Sequence, residues 1–123
     1  MALVMVADDD PITRELLVFR LQAEGHEVVA VEDGDSALAE VRARIPDIAV
    51  LDVNMPGMSG FDVCRLLRED PATARLPVIM LTASVQESDV AAGFDSGADD
   101  YVAKPFNPRE LSTRVRAVLA RTR

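Results

Sequence analysis

Three apolar runs in the chain end abruptly in charge. Leu3-Val4-Met5-Val6-Ala7 runs into Asp8-Asp9-Asp10, Ile48-Ala49-Val50-Leu51 into Asp52, and Tyr101-Val102-Ala103 into Lys104-Pro105. A carboxylate at the end of a buried strand is desolvated on one side, which is costly unless a cation compensates. Asp8, Asp9 and Asp52 together would outnumber the bases near them. A hard divalent cation such as Mg²⁺, which takes oxygen ligands and keeps several waters, resolves that conflict. Two carboxylates, one loop carbonyl and waters would leave a position for a phosphoryl oxygen. An aspartate is ionised at pH 7 without help from a base, and it can attack phosphorus to form an acyl phosphate. Phosphoryl transfer then asks mainly for charge around the equatorial oxygens. Mg²⁺ would take one oxygen, Lys104 a second, and the Thr82 hydroxyl with a nearby backbone N–H the third. The one histidine, His26, follows Gly25 in a turn and reads as a surface residue.

This chemistry requires the three run ends to meet on one edge of a sheet. Short apolar runs alternate with helical patterns of 10 to 15 residues, the mark of repeated strand–helix units around a parallel sheet. The reading is an α/β, doubly wound sheet of five strands with five helices. Strands are expected over 3–7, 27–31, 48–51, 78–81 and 101–103. Asp10-Pro11 supplies a cap and a first-turn proline for a helix that Gly25 ends, with Ile12, Leu16, Leu17 and Leu21 turned inward. Further helices are expected over 36–44, 61–68 and 87–95. Asn107-Pro108-Arg109-Glu110 opens the last one, whose inner stripe is Leu111, Val115, Val118 and Leu119. The breakers Asn54-Met55-Pro56-Gly57-Met58-Ser59-Gly60 keep exposed backbone near Asp52.

At 123 residues the chain reads as a single domain, 1–123. No apolar run approaches the roughly 20 residues of a membrane span, and no leader pattern precedes the first strand, so a cytoplasmic location away from membranes is expected. The net charge of −8 argues against direct nucleic-acid binding, which draws its affinity from phosphate neutralisation. One tyrosine, four phenylalanines and no tryptophan leave little for base stacking. Twelve of the thirteen bases are arginine, which singles out Lys104. Cys64 has no partner cysteine and reads as a small buried helix residue.

Over its whole length the chain resembles a receiver domain of bacterial two-component response regulators. The likeness rests on Asp8-Asp9, on Leu51-Asp52-Val53-Asn54-Met55-Pro56-Gly57-Met58-Ser59-Gly60, on Leu81-Thr82-Ala83, and on Gly97-Ala98-Asp99-Asp100-Tyr101 through Lys104-Pro105-Phe106. It implies a flavodoxin-like fold with strand order 2-1-3-4-5. It also implies that Asp52 accepts a phosphoryl group from the phosphohistidine of a sensor histidine kinase or phosphotransfer protein. Asp9, Asp52 and the Asn54 carbonyl would bind Mg²⁺, with Asp8 acting through water. Lys104 would pair with the phosphoryl group, and the Lys104–Pro105 bond is often cis in similar domains. Thr82 would swing toward the phosphoryl group and Tyr101 turn inward behind it, remodelling the face made by the helix over 87–95, the last strand and the last helix. The protein would then be a switch that catalyses its own phosphorylation and dephosphorylation, not a turnover enzyme, and it would signal to an output domain or partner protein. A phosphorylation-dependent dimer belongs to the same expectation, although 84–100 contains no Lys or Arg to salt-bridge a partner. Asn54, with Ser84 two residues after Thr82, would leave the acyl phosphate open to water, with a lifetime of seconds to minutes.

Two other readings compete. A haloacid-dehalogenase-like Mg²⁺ phosphatase also uses an aspartate nucleophile, but it wants a second aspartate two residues on; Asn54 stands there after Asp52, and Asp10, two after Asp8, is followed by Pro11. A receiver-like scaffold that is never phosphorylated would not need the full set of site residues.

Overall fold

Each expected apolar run forms a strand; the third includes Asp52, and the first and last stop one residue short of Asp8 and Lys104. The structure is a computed structural model that describes residues 2–83 and 97–121. Its strands are β1 (Leu3–Ala7), β2 (Glu27–Val31), β3 (Ile48–Asp52), β4 (Val78–Thr82) and β5 (Asp100–Ala103), and they make one parallel five-stranded sheet in the order β2-β1-β3-β4-β5. Four helices lie among the described residues: α1 (Pro11–Ala23), α2 (Gly34–Ala43), α3 (Gly60–Glu69) and α4 (Pro108–Arg121). The helix expected over 87–95 and Ser84 lie outside the described residues. None of these helices is long and apolar enough to cross a membrane. The doubly wound, flavodoxin-like architecture and its strand order are as the sequence implies.

Helices on both faces explain why the strands read as unbroken apolar runs and not as alternating ones. Side chains alternate between two cores. Met5, Ala7, Ala49, Leu51, Val78 and Met80 pack beneath α2 and α3 with Leu38, Val63, Cys64 and Leu67. Val4, Val6, Ile48, Val50, Ile79 and Leu81 pack beneath α1 and α4 with Leu17, Leu21, Leu111 and Val115. The chain leaves β1 for β2 on one side and returns to β3 on the other. The crossovers therefore diverge between β1 and β3, where α/β sheets leave a crevice at their carboxyl edge.

Side-chain caps set the helix starts. Asp10 Oδ1 accepts from the Ile12 N–H at 3.1 Å, Asp33 Oδ1 from the Ser36 N–H at 2.7 Å, and Ser59 Oγ from the Asp62 N–H at 3.2 Å. Each such cap contributes about 1 kcal/mol. Asn107 Oδ1 likewise accepts from the Arg109 N–H at 2.8 Å, ahead of Pro108 as the sequence suggests. At the far end of α3, the Arg68 guanidinium donates to the Gly97 and Leu76 carbonyls and to Asp99, tying the entry of β5 to α3.

Two expectations fail. The inward stripe of α1 is Leu17 and Leu21; Ile12 and Leu16 are 69% and 53% exposed, and Phe19 is 74% exposed. At 3.6 residues per turn these three exposed residues lie within about 60° of arc, a second apolar stripe pointing away from the core. His26 is half-buried, its N–H donating to the Leu21 carbonyl at 3.2 Å, because the turn folds back over the end of α1.

Candidate functional site

β1 and β3 end side by side, so their terminal acids converge. Asp8 is fully buried and Asp52 is 3% exposed, whereas Asp9 turns to solvent. One carboxylate oxygen from each of Asp8, Asp9 and Asp52 lies within 4.8 Å of the others. Local hydrogen bonds hold the two buried acids in place. Asp8 Oδ1 accepts from the Asp10 N–H at 2.9 Å, and the Asp8 N–H donates to the Val31 carbonyl at 3.1 Å. Asp52 Oδ1 accepts from the Asn54 N–H at 3.3 Å. The Val53 N–H donates to the Leu81 carbonyl at 2.8 Å, carrying the ladder one residue past Asp52.

Lys104 arrives from the end of β5. Its Nζ lies 3.0 Å from Asp8 Oδ2 and 3.2 Å from Asp52 Oδ2, so one ammonium bridges both buried acids. The sequence reading reserves Lys104 for the phosphoryl group and lets Asp8 act through water. In the structure Asp8 is wholly buried and shares the Lys104 ammonium with Asp52, as a desolvated carboxylate requires. The Lys104 N–H donates to the Thr82 carbonyl, which ties the lysine to the strand end that carries Thr82, and the Lys104–Pro105 bond is cis. Thr82 is buried at the tip of β4, the strand next to β3. Tyr101 is half-buried on β5 and packs on the α2–α3 side of the sheet.

The electrostatics are unbalanced. Burial first, and the Asp8 charge second, raise Asp52 from the ordinary carboxylate value of 3.8 to about 6, against the pull of Lys104 and the Asn54 N–H. Burial works against the Lys104 ammonium, but its hydrogen bond to Asp8 and the charges of Asp52 and Asp8 outweigh that and hold it above its ordinary value. One lysine thus does not settle three acids. The donor set is all oxygen, as a hard cation requires. Three carboxylate oxygens within 4.8 Å of one another are close enough for a single hard cation, with its waters, to be shared among them. The residues fit a divalent ion.

Sequence reasoning undervalued three residues. Arg14 Nη1 donates to the Asp8 carbonyl at 2.9 Å, bracing the strand end from α1. A Cβ on Gly60 would lie 2.3 Å from the Asp52 carbonyl, and one on Gly34 would lie 2.3 Å from the Met58 carbonyl, so both glycines permit backbone contact around the loop after Asp52. Breaker composition marked Gly60, but only tertiary packing reveals either approach. Asp99, Asp100 and Arg114 are engaged within the chain. Asp99 pairs with Arg68 at 3.1 Å and Asp100 with Arg114 at 3.2 Å.

Comparison with known proteins matches these features. A family model described as the response regulator receiver domain covers residues 4–116. The chain is 49% identical over 118 residues to the DNA-binding response regulator MtrA of Mycolicibacterium smegmatis, covering 96% of this chain and 50% of that protein. It is 46% identical to the phosphate regulon transcriptional regulatory protein PhoB of Rhizobium meliloti, over 98% of this chain and 53% of that protein. The chain thus spans about half the length of the curated relatives it matches. Among solved structures, a putative response regulator from Chloroflexus aurantiacus superposes with a TM-score of 0.92 at 40% identity, covering 97% of this chain and 98% of that one. The chemotaxis response regulator CheY4 of Vibrio cholerae gives 0.92 at 34% identity, over 96% and 98% of the two chains.

Proposed function

The chain belongs to the response regulator receiver domain family, and from that premise we propose that it is a single phosphoacceptor domain, 1–123, switched by phosphoryl transfer to Asp52. The observation that carries this reading is the grouping of Asp8, Asp9 and Asp52 around Lys104 at the carboxyl edge between β1 and β3. An Asp52 carboxylate oxygen attacks the phosphorus of a phosphohistidine; the P–O bond forms as the P–N bond breaks, and the electron pair leaves on the donor imidazole. Asp9, Asp52 and the Asn54 carbonyl would hold Mg²⁺, with Asp8 reaching it through water. When bound, the ion supplies positive charge to the phosphoryl oxygens. Lys104 moves from the acids to the incoming phosphoryl group, which bears more charge than either. Thr82 then donates its hydroxyl to the same group and Tyr101 turns inward, shifting a two-state equilibrium at the face that includes β5 and α4. Asn54, a small polar amide two residues after Asp52, leaves the acyl phosphate accessible to water, so the signal decays in seconds to minutes.

The phosphodonor is a sensor histidine kinase or phosphotransfer protein in the cytoplasm. The exposed Ile12, Leu16 and Phe19 stripe supports a protein donor, since it starts beside the site, where Leu16, Pro105, Phe106 and Lys104 line one depression. The relatives named as DNA-binding or transcriptional regulators support a transcriptional output, exerted by an output domain or partner protein and not by this acidic surface. The dehalogenase-like phosphatase reading loses support because Asp10, its candidate general acid, is engaged as the α1 cap. The hydrogen bond from the Thr13 hydroxyl at 2.7 Å, with the Ile12 N–H, holds the Asp10 carboxyl below its ordinary value.

Intact mass after incubation with acetyl phosphate and Mg²⁺ tests the proposal. One added phosphoryl group in the native protein, absent in Asp52→Asn, is the expected result. Steady phosphate release from varied esters, or equal labelling of Asp52→Asn, would overturn it.

A further inference from the structure

The loop from 53 to 59 carries Asn54 and is anchored at both ends against Asp52. Its start is held by the Asn54 N–H on Asp52 Oδ1, and its end by the Gly60 N–H donating to the Val53 carbonyl at 3.0 Å, with Gly60 against the Asp52 backbone. Its middle meets a different element. Gly34, the buried first residue of α2, lies so close to Met58 that a Cβ there would fall 2.3 Å from the Met58 carbonyl oxygen and 2.8 Å from its Cβ. The neighbouring pair is close too, since a Cβ on Gly57 would lie 3.3 Å from Asp35 Oδ2. Real Cβ atoms do not approach backbone that closely, so any side chain at 34 must displace the loop or tilt the helix. The helix has little room to tilt, because Ala37 and Val41 are fully buried in the core and Asp33 caps the first turn.

We infer that Gly34 is a positioning residue for the divalent-ion site: it lets α2 act as a backstop that sets the loop bearing Asn54. This rests on the metal-dependent reading above. Asn54 offers the one expected ligand that is a loop carbonyl and not a side-chain carboxylate, so its placement depends on the path of the 53–59 loop, which Met58 fixes against α2.

Calorimetric Mg²⁺ titration of the native protein, Gly34→Ala and Val41→Ala, alongside urea unfolding of each, tests the inference. Val41→Ala removes core volume from the same helix without touching the loop, and so reports what lost stability alone does. Gly34→Ala is expected to bind Mg²⁺ about tenfold more weakly, the scale for losing a group that holds a ligand in place. Val41→Ala should stay within about twofold of native at a similar stability loss. Equal affinity in Gly34→Ala and native protein, or an equal loss in Val41→Ala, overturns the inference and leaves the metal-dependent reading intact. No Mg²⁺ binding by native protein removes both. Should Gly34→Ala not fold, amide exchange of native protein decides: Mg²⁺ should slow the first-turn amides of Ser36 and Ala37 by about threefold along with Asn54, by reciprocal coupling. Unchanged exchange in that turn overturns the inference.

Discussion

The carboxyl edge of the sheet and the seam where α1 meets α4 both gather acids and bases, with opposite results. Along the seam, Glu24 accepts from Arg20 at 2.9 Å and lies 3.5 Å from Arg116, while Ser112 Oγ accepts from Arg20 at 3.3 Å. The Ser112 hydroxyl and the two arginines hold the Glu24 carboxyl below its ordinary value. At the carboxyl edge, burial and a like charge push Asp52 the other way, to about 6. Acids on the seam are settled by groups that reach them from solvent-facing helices. Those at the edge are pressed together at the ends of strands that must be buried, so the fold keeps a repulsion there that a ligand can relieve.

The contrast should break most sharply at Lys104. Lys104→Met strands two buried acids, and we expect it to lower metal-free stability at pH 8 by about 3 kcal/mol in urea unfolding. Much of that loss should vanish in an Asp52→Asn background, since the two sites are coupled. A small, additive effect would mean that the edge is as settled as the seam.

Asp52→Asn alone should stabilise the metal-free protein. The unfolded chain releases this proton near 3.8 and the native protein near 6, so the native state holds the extra proton between them and stability falls as pH rises through that window. We expect Asp52→Asn to gain about 2–3 kcal/mol above pH 7, with the gain shrinking to nothing by about pH 4. A pH-independent difference would place its origin in packing.

The smallest effect belongs to an exposed pair of the settled kind. Arg44 meets Glu27 at 2.8 Å with both side chains more than half exposed, 59% and 51%. Arg44→Ala should barely move the urea midpoint, and added salt should erase what change there is. A large, salt-resistant loss would blur the distinction between the two regions.

Much of this contrast is legible in the sequence. A strand covered on both faces must be apolar throughout, so a sudden Asp8 or Asp52 announces both the strand end and an unusual demand on it. The order of the sheet followed from the resemblance, and the caps at Asp10 and Asn107 from local chemistry, whereas Ser59 read only as a loop breaker. The orientation of α1 was not legible: Ile12 and Leu16 lie on a second apolar stripe, nearly across the helix from that of Leu17 and Leu21, and only the sheet beneath decides which is buried. The pairing of Lys104 with both Asp8 and Asp52 was also hidden, because it depends on how far β5 carries an ammonium toward β1 and β3. Gly60 read only as a breaker and Gly34 carried no signal of its approach, whereas both permit backbone contact across the fold.

The central claim is that the crowded acids form a site for a divalent ion. Urea unfolding at pH 7.5 with Mg²⁺, against Na⁺ at matched ionic strength, tests it most directly. The account predicts a gain of about 2.7 kcal/mol once free Mg²⁺ is about a hundredfold above its dissociation constant, largely lost in Asp9→Asn. Identical curves in the two salts, or an undiminished gain in Asp9→Asn, would contradict it.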